Sequence, residues 1–432
     1  MMSTPTNARA AGPTRDQNDL AERFAAIRRS TLDLTESLSA EDQQIQAFPE
    51  ASPTKWHLAH TTWFFEAFIL QDVAPSHRSF HDGFSELFNS YYEGMGPRHP
   101  RAARGALSRP TLGEVEAYRR HVDDAVQALL GRPCTSETLR RVELGLHHEQ
   151  QHQELILTDI LANFSLNPLR PAWRERTGTG SPPVSSPGWV EIAGGVHEVG
   201  ADPSAFHFDN EGPRHQTLLP PYSLRQTLVT NLEVVGFIEE GGYRTPSLWL
   251  SDGIDWVRRH GVEAPRYWRR GSEGWTTFTL YGEQRLDPHA PAVHLSGYEA
   301  EAIATWLGAR LPTEYEWEVA ARQSGLSPQQ GRWLGNGLTQ PSATVPDHAR
   351  ELCGLWGEVW EWTRSAYSPY PGYRPPVGAL GEYNGKFMCN QWVLRGGSCA
   401  SPPGHLRASY RNFFYPAQTW QFSGLRLAKE VK

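Results

Sequence analysis

The sequence predicts two domains of different fold class, a helical bundle followed by an α+β domain with long loops. Three observations lead to this prediction. A chain of 432 residues is long enough for two or three domains. The first 165 residues carry apolar side chains at helical spacing, whereas the later sequence contains short strand-like pieces and short helices. Fourteen of the 16 tryptophans lie at or beyond Trp173, so the two parts are expected to be built on different plans.

Composition limits the class of protein. There are 41 Lys and Arg against 48 Asp and Glu, and the net charge is −7, which argues against a nucleic acid or an anionic membrane as the main partner. No apolar stretch is long enough to span a bilayer. Residues 1–18 lack the apolar segment of a secretory signal and are predicted to be a disordered tail. The four cysteines are scattered without a CxxC motif, which indicates a reducing, cytoplasmic setting.

The N-terminal domain is predicted to span residues 19–166. Its four predicted helices show apolar periodicity or a capping pattern. They run from Leu20 to Leu38, from an N-cap at Ser52 with Pro53 at the first helical position through Phe68, from a capping box of Thr111 and Glu114 to Leu130, and from a cap at Thr135 or Ser136 to about Phe164. Residues 75–110 form an irregular excursion between the second and third of these helices. Four helices joined in this order pack most simply as an antiparallel bundle.

A Pro-, Gly- and Ser-rich run within residues 167–188 is predicted to be a linker. Residues 189–432 form the second predicted domain. Its predicted elements are strands at Trp189–Ile192 and at residues 393–395, and helices capped by Ser296 with Glu299 and by Thr313 with Glu316. Long loops on such a scaffold usually carry binding groups, so this domain is expected to contribute to a site.

Three histidines predict a metal site in the bundle. His148 and His152 lie one turn apart on the long fourth helix, so their side chains project from one face and suit a single metal. His60, on the second helix, can face both of them across the core of a bundle. A buried imidazole needs a polar partner, and a metal ion supplies one. The alternative is that the two helical histidines belong to an ordinary polar face.

The same residues fit the HExxH pattern of zinc peptidases, in which Glu149 would act as the base. Only three residues of that pattern are fixed, and this sequence lacks the longer metzincin extension. Glu149 also belongs to a group with Glu143 and Glu154 that is compatible with a solvated flank of the helix. A zinc peptidase is therefore kept as an alternative function.

These motifs also carry a resemblance to a known family. The segment from Trp56 to His60 (WHLAH), together with residues 148–152 (HEQQH), resembles the DinB-like four-helix bundle of the ergothioneine-biosynthesis sulfoxide synthases. Four later motifs resemble the formylglycine-generating-enzyme domain of the same proteins, which has a C-type-lectin-like fold. They are LPTEYEWEVAAR at 311–322, GEVWEWT at 357–363, LRGGS at 394–398 and FSGLR at 422–426. The resemblance extends from about residue 20 to about residue 430.

The resemblance implies an activity. In that family a non-haem iron(II) centre uses O2 to join a thiol to carbon 2 of the imidazole of hercynine, and the product is a sulfoxide. The implied iron ligands are His60, His148 and His152. His57 and His147 fall out of register and are expected to be structural or to lie behind the ligands. The second domain is expected to close the active site.

Further site residues follow from the same resemblance. They are Tyr91 and Tyr92 as catalytic proton donors, Arg101 and Arg104 for the thiol substrate, and Gln151, Asn412, Phe413 and Phe414 for hercynine. A phenol has a proton to give at neutral pH, and guanidinium groups pair well with carboxylates. The tyrosine pair resembles the subgroup that uses cysteine rather than γ-glutamylcysteine, so cysteine is the expected thiol. The alternatives are packing tyrosines, an exposed basic loop and core aromatic residues.

The leading prediction is a cytoplasmic enzyme that makes hercynylcysteine sulfoxide from hercynine, cysteine and O2 on iron(II). An ovothiol-type sulfoxide synthase, which acts on histidine, is the nearest alternative. A zinc peptidase and a non-catalytic lectin-like binding module are alternatives of other classes. Cys399 is expected to be a buried structural residue, and formylglycine-generating activity is not predicted. The sequence makes no prediction of oligomeric state.

Overall fold

The structure, a computed structural model, describes residues 14–176, 187–337, 339–346 and 351–431. The described chain forms two compact units. The first contains residues 14–91 and 95–152, and the second contains residues 92–94 and the chain from Gln153 onward. Residues 1–13 of the predicted disordered tail lie outside the described residues. Residues 177–186 of the predicted linker lie outside them as well. The predicted domain boundaries stay predictions.

The first unit is helical. Its elements are α1 (Arg15–Asp33), α2 (Thr54–Phe65), a π-helical turn (Glu66–Leu70) that continues α2 into α3 (Gln71–Val73), α4 (Phe84–Phe88), α5 (Leu112–Leu130) and α6 (Ser136–Ser165), of which residues 136–152 belong to this unit. Every residue of α2 is buried, so this helix lies in the core. Within the described ranges, no helix has the length and apolar character needed to cross a membrane.

Side-chain caps explain where these helices begin. Thr111 and Glu114 form the predicted capping box of α5, which ends at Leu130 as expected. The prediction for α1 is wrong, because the helix begins and ends five residues earlier than the apolar pattern indicates. Thr14 accepts a hydrogen bond from the Gln17 backbone N–H and starts the helix early.

In the described part of the chain, the second unit combines four small sheets with four α-helices of its own and the second half of α6. The strands are β1 (Trp189–Ile192), β2 (Gly195–Val199), β3 (His215–Leu219), β4 (Tyr222–Arg225), β5 (Trp268–Gly271), β6 (Gly274–Thr279), β7 (Gly282–Arg285), β8 (Trp360–Ala366), β9 (Trp392–Arg395), β10 (Asn412–Phe414), β11 (Ser423–Gly424) and β12 (Ala428–Glu430). The helices are α7 (Asn231–Glu239), α8 (Ser251–His260), α9 (Gly297–Trp306) and α10 (Glu314–Gln323). The predicted strands are found as β1 and β9, and both predicted capping boxes are present at α9 and α10.

The sheets are mostly antiparallel. Strand β4 lies between β1 and β12, strands β2 and β3 pair, and β5, β6 and β7 form a meander. The four-stranded sheet has the order β10-β9-β8-β11, in which only the pairing of β11 with β8 is parallel. Together with the helices, this arrangement is the α+β domain that the sequence predicts.

Two buried ion pairs join the four motifs of the second unit two by two. Arg395, from LRGGS, pairs with Glu314 of the LPTEYEWEVAAR motif at 2.9 Å. Arg426, from FSGLR, pairs with Glu361 of GEVWEWT at 3.0 Å. These four side chains are almost inaccessible to solvent, so the loss of one partner would leave an uncompensated charge in the core. The motifs therefore build the scaffold of this domain.

The second half of α6 belongs to the second unit, where Glu154 accepts three hydrogen bonds. The donors are Trp360 Nε1 at 2.7 Å, Ser398 Oγ at 2.5 Å and Ser401 Oγ at 2.6 Å. Burial raises the pKa of Glu154, and the three donors oppose that shift. The prediction that Glu154 lies on a solvated flank is therefore wrong, because its carboxylate is held by protein donors.

Candidate metal centre

Three buried histidines meet inside the first unit. His60 lies on α2, and His148 and His152 lie one turn apart on α6. Each offers one ring nitrogen, and these three nitrogens lie within 4.8 Å of one another. The ring centroids are 4.6–4.9 Å apart, and the ring planes cross at 60–74°. The structure thus brings together the three residues that the sequence predicts as metal ligands, and together they could hold one ion.

The hydrogen bonding of His60 fits a metal ligand. Its Nδ1 lies 2.6 Å from the Phe88 backbone carbonyl, which can only accept, so Nδ1 carries the proton. Nε2 therefore holds a lone pair, yet it is buried and has no hydrogen-bond partner among the described residues. A buried group left unsatisfied in this way costs roughly 1–3 kcal/mol. A metal ion bound to Nε2 would remove that deficit.

Burial keeps the three imidazoles neutral. It lowers the pKa of His148 to about 3, although the nearby Glu149 carboxylate opposes the shift. Burial, together with the neighbouring His148, also holds the pKa values of His60 and His152 well below the ordinary value of histidine. Only an unprotonated ring nitrogen binds a metal, so the triad has its ligand form at neutral pH.

Another buried histidine stands behind the triad. His57 Nδ1 lies 2.8 Å from His152 Nδ1. Because this contact occupies Nδ1 of His152, Nε2 is the nitrogen left to bind a metal. Ligand histidines usually make such a bond through the second ring nitrogen, which fixes the tautomer and the orientation of the ring. His57 therefore supports His152, in agreement with its expected place behind the ligands.

Trp56 and Arg104 extend the site beside His60. The Trp56 and His60 rings stack with centroids 4.6 Å apart and planes 12° apart. The Arg104 guanidinium lies 3.4 Å from the centroid of the same tryptophan and is 1% exposed. It also donates to Ser52 Oγ at 2.8 Å. The prediction of Ser52 as the N-cap of α2 is wrong, because the helix begins at Thr54 and has no side-chain cap. A buried guanidinium held in this way suits a carboxylate ligand.

Glu149 is bound by two buried arginines. Arg28 Nη1 donates to one carboxylate oxygen at 2.8 Å, Arg119 Nη2 donates to the other at 2.5 Å, and Thr31 Oγ1 adds a bond of 2.6 Å. Burial raises the pKa of Glu149, but the two arginines together lower it to about 2. Glu149 is fully buried, so its prediction as part of a solvated flank is wrong. A carboxylate held in this way is a poor general base, which disfavours the zinc-peptidase alternative.

The predicted tyrosines and arginines differ in their surroundings. Tyr92 is fully buried, whereas Tyr91 is half-buried. Arg101 is exposed, and its guanidinium donates to the Glu50 backbone carbonyl. Arg104 lies close to the histidines, because it contacts the Trp56 ring that stacks on His60. The catalytic and binding roles of these residues stay predictions.

The residues predicted to bind hercynine are half-buried. Asn412, Phe413 and Phe414 form β10 in the second unit, and Gln151 lies on α6. Phe413 stacks on Tyr367 with ring centroids 4.1 Å apart and planes 10° apart. The substrate-binding roles of these four residues also stay predictions.

Two residues of the site, Arg28 and Arg119, were not predicted from the sequence. The only signal was a charged residue on the apolar face of a helix. Arg28 follows the buried Phe24 by one turn, and Arg119 adjoins the buried Tyr118. Such an arginine needs a buried acidic partner, and the structure identifies Glu149 as that partner.

Comparison with known proteins agrees with this organisation. A family model described as a sulfatase-modifying factor enzyme 1-like domain matches residues 176–431, and a model of the DinB superfamily matches residues 23–156. A protein of Mycolicibacterium smegmatis named hercynine oxygenase is 32% identical over 443 residues, covering 95% of this chain and 99% of that protein. The hercynine oxygenase of Mycobacterium tuberculosis is 32% identical over 435 residues, with the same coverage of 95% and 99%. A formylglycine-generating enzyme of Thermomonospora curvata is 32% identical over 207 residues, covering 45% of this chain and 65% of that enzyme.

The fold and the histidine triad define a class of protein, a DinB-like bundle that carries a candidate metal centre and is followed by a sulfatase-modifying-factor domain. This confirms the predicted fold class. The identity to two hercynine oxygenases extends over almost the whole of each chain. The chain therefore belongs to the hercynine oxygenase family, and the resemblance to the ergothioneine-biosynthesis sulfoxide synthases is confirmed.

Proposed function

We propose that this chain is an iron(II)- and O2-dependent oxidoreductase that acts on hercynine in ergothioneine biosynthesis. It joins the sulfur of cysteine to carbon 2 of the hercynine imidazole and oxidises that sulfur, which gives hercynylcysteine sulfoxide. The two substrates supply four electrons to one O2, of which one oxygen atom enters the sulfoxide and the other leaves as water. The observation that carries the proposal is a triad of buried, neutral histidines in a chain whose full-length relatives are named hercynine oxygenases.

His60, His148 and His152 would hold the iron. When bound, iron(II) supplies the redox chemistry that reduction of O2 requires, and three imidazoles leave coordination positions for other ligands. The protein prepares the ligands in advance, since the Phe88 carbonyl orients His60 and His57 orients His152. This support favours a ligand set that needs little rearrangement when the metal binds.

Arg104 and Arg101 would bind the carboxylate of cysteine. Arg104 supports this role because Ser52 and Trp56 hold its buried guanidinium before any substrate binds. A guanidinium can bind a carboxylate through two parallel hydrogen bonds, which suits the carboxylate of cysteine. Arg101 would have to leave the Glu50 carbonyl and turn towards the substrate.

Asn412, Phe413, Phe414 and Gln151 would bind hercynine. The trimethylammonium group of hercynine has no N–H to donate, and aromatic faces attract such a cation. The half-buried ring of Phe413, which stacks on the buried ring of Tyr367, supports this role because it combines an aromatic surface with access to solvent. Tyr91 and Tyr92 would supply a proton to the reaction, since a phenol keeps its proton at neutral pH.

Metal analysis combined with an O2-uptake assay tests the proposed function. The protein is loaded with iron(II) without air, and O2 uptake is then measured with hercynine, with cysteine and with both. We expect sustained uptake only when iron and both substrates are present. A protein that retains zinc and shows no thiol-dependent O2 uptake would contradict the proposal.

The choice of thiol is tested separately. We expect kcat/KM to be higher for cysteine than for γ-glutamylcysteine, because the tyrosine pair resembles the cysteine-using subgroup. Initial rates of sulfoxide formation with each thiol at saturating hercynine give this ratio. A large preference for γ-glutamylcysteine would overturn the choice of cysteine and leave the reaction type intact.

A further inference from the structure

A second group of potential metal ligands lies in the first unit, outside the histidine triad. Glu66, His77 and His121 each offer one ligand atom, and these atoms lie within 4.8 Å of one another. Glu66 opens the π-helical turn after α2, His77 lies between α3 and α4, and His121 lies on α5. The fold thus brings together three segments that are separate in sequence. Single π-helical turns inserted into α-helices frequently occur at functional sites.

The hydrogen bonds of His121 leave one ring nitrogen for a metal. Its Nε2 lies 3.0 Å from the Arg78 backbone carbonyl, which only accepts, so Nε2 carries the proton. The lone pair of the neutral ring is then on Nδ1. His60 of the triad has the same arrangement with its two nitrogens exchanged, since its Nδ1 donates to the Phe88 carbonyl. A bond from the second nitrogen to a backbone carbonyl is typical of metal-ligating histidines.

The Glu66 carboxylate is buried and lacks a strong cationic partner. It is 3% exposed, and in the described part of the chain no lysine or arginine forms an ion pair with it. Tyr118 donates its hydroxyl to Oε2 at 2.7 Å, and the Phe80 backbone N–H donates to Oε1 at 3.2 Å. These donors and His77 orient the buried carboxylate, and among the described residues no permanent cation pairs with it, so a divalent cation would be stabilised beside it.

His77 completes the group. Its Nε2 lies 3.0 Å from Glu66 Oε1. Two ligands of a tetrahedral zinc ion are roughly 3.3–3.4 Å apart when the metal–ligand bonds are about 2.1 Å, so a small widening of this gap would admit the ion. Without metal, His77 donates a proton to the carboxylate across this gap. When a metal binds, that proton moves to His77 Nδ1 or to solvent, and the metal takes its place.

We propose that Glu66, His77 and His121 form a second metal site, which binds a divalent transition metal such as Zn2+. Two imidazoles and one carboxylate are a donor set that zinc accepts, with water in the remaining position. The ion would tie the segment after α3 to α2 and α5. This site is independent of the proposed function, because none of its residues belongs to the histidine triad.

Zinc stoichiometry tests the proposal. Metal-free full-length protein is dialysed against Zn2+ to equilibrium, and bound zinc per chain is compared between wild type, His121→Gln, His77→Gln and His81→Gln. His81 is the matched control, because it lies in the same exposed segment but stacks on Phe84 and lies outside the group. Far-UV circular dichroism before dialysis verifies that each variant is folded.

We expect His121→Gln and His77→Gln each to bind one Zn2+ fewer per chain than wild type, and His81→Gln to bind as many as wild type. The double variant His60→Gln, His121→Gln is likewise expected to bind one Zn2+ fewer per chain than the His60→Gln single variant, which alters only the triad. Equal zinc binding by wild type, His121→Gln and His77→Gln would overturn the second site. Loss of zinc only with His60→Gln would leave the triad as the metal site and would also overturn it.

Discussion

At the scale of single residues, the bond between His57 and His152 is expected to set metal affinity. His57 Nδ1 lies 2.8 Å from His152 Nδ1 and leaves Nε2 of His152 for the metal. Loss of such an outer partner typically weakens metal binding by roughly 10- to 100-fold. We expect His57→Leu to lower iron affinity by about this factor, measured anaerobically by competition with a chelator.

His57→Asn is the matched variant for this prediction, because the asparagine Oδ1 can take the place of Nδ1 as an acceptor. We expect it to keep more of the affinity than His57→Leu. If both variants bind iron as tightly as wild type, the bond does not position His152.

Tyr91 and Tyr92 are predicted to be proton donors, and removing both hydroxyl groups tests this role. The Tyr91→Phe, Tyr92→Phe double variant keeps the aromatic rings but has no phenolic proton. We expect it to bind iron normally and to form little sulfoxide, because proton transfer to the reacting groups is impaired. Iron content and product mass are measured on the same sample. Tyr298→Phe is the control, because Tyr298 is a half-buried tyrosine of α9 to which no role in the site is assigned. Undiminished sulfoxide would exclude both tyrosines as proton donors.

The histidine triad was predictable from the sequence because helix geometry alone places residues i and i+4 on one face. The surroundings of Glu149 were not. A glutamate has the same helical spacing whether it faces water or a buried arginine, so only the positions of Arg28 and Arg119 identify it as an ion-pair partner. Spacing predicts which residues share a face, but it does not predict what lies opposite that face.

At the scale of elements, Arg119 of α5 links the two helices that carry the triad. Its Nη1 donates to the Leu58 carbonyl of α2 at 3.3 Å, and its Nη2 donates to Glu149 of α6 at 2.5 Å. Breaking a buried charge pair costs roughly 3–5 kcal/mol. We expect Arg119→Met to lower the free energy of unfolding by about this amount in urea denaturation.

Arg120→Met is the control for this prediction, because Arg120 is the exposed neighbour on the same helix. We expect it to change the free energy of unfolding by less than about 0.5 kcal/mol. Equal stability of Arg119→Met and wild type would mean that the buried network does not hold α2 and α6 together.

Capping boxes in the sequence predicted three of the helices. The capping boxes of α5, α9 and α10 were all found where the sequence indicates them. Helix α7 was missed although Thr230 and Glu233 form the same kind of capping box, so a cap alone does not identify a helix. Helix α8 has no side-chain cap, and the short strands β5, β6 and β7 lack enough apolar periods to stand out from loops. The ends of α1 were misplaced because apolar spacing does not report the cap at Thr14.

At the scale of the whole molecule, the uneven distribution of tryptophan has a structural explanation. In the second unit many tryptophans are buried, among them Trp317, Trp360 and Trp362. Trp317 Nε1 also donates to the buried Glu361 carboxylate at 3.0 Å. Short strands and long loops supply few regular apolar faces, so large rings and buried ion pairs fill the core. The first unit fills its core with long helices and needs few tryptophans.

Metal binding is expected to stabilise the whole chain. A ligand that binds only the folded state adds about 2.7 kcal/mol when its concentration is 100-fold above Kd. We expect iron(II), added without air, to raise the Tm of wild type and of His260→Gln, which removes an exposed histidine of α8. His60→Gln should lose most of this rise in thermal unfolding. An equal rise in all three proteins would show that iron binds outside the triad.

The mass of the product is the most direct test of C–S bond formation by this chain. Protein loaded with iron(II) without air is mixed with hercynine and cysteine, and air is then admitted. We expect a product with the combined mass of hercynine and cysteine plus one oxygen atom and minus two hydrogen atoms, and we expect no such product from His60→Gln. Recovery of unchanged hercynine beside oxidised cysteine would contradict C–S bond formation as the activity of this chain.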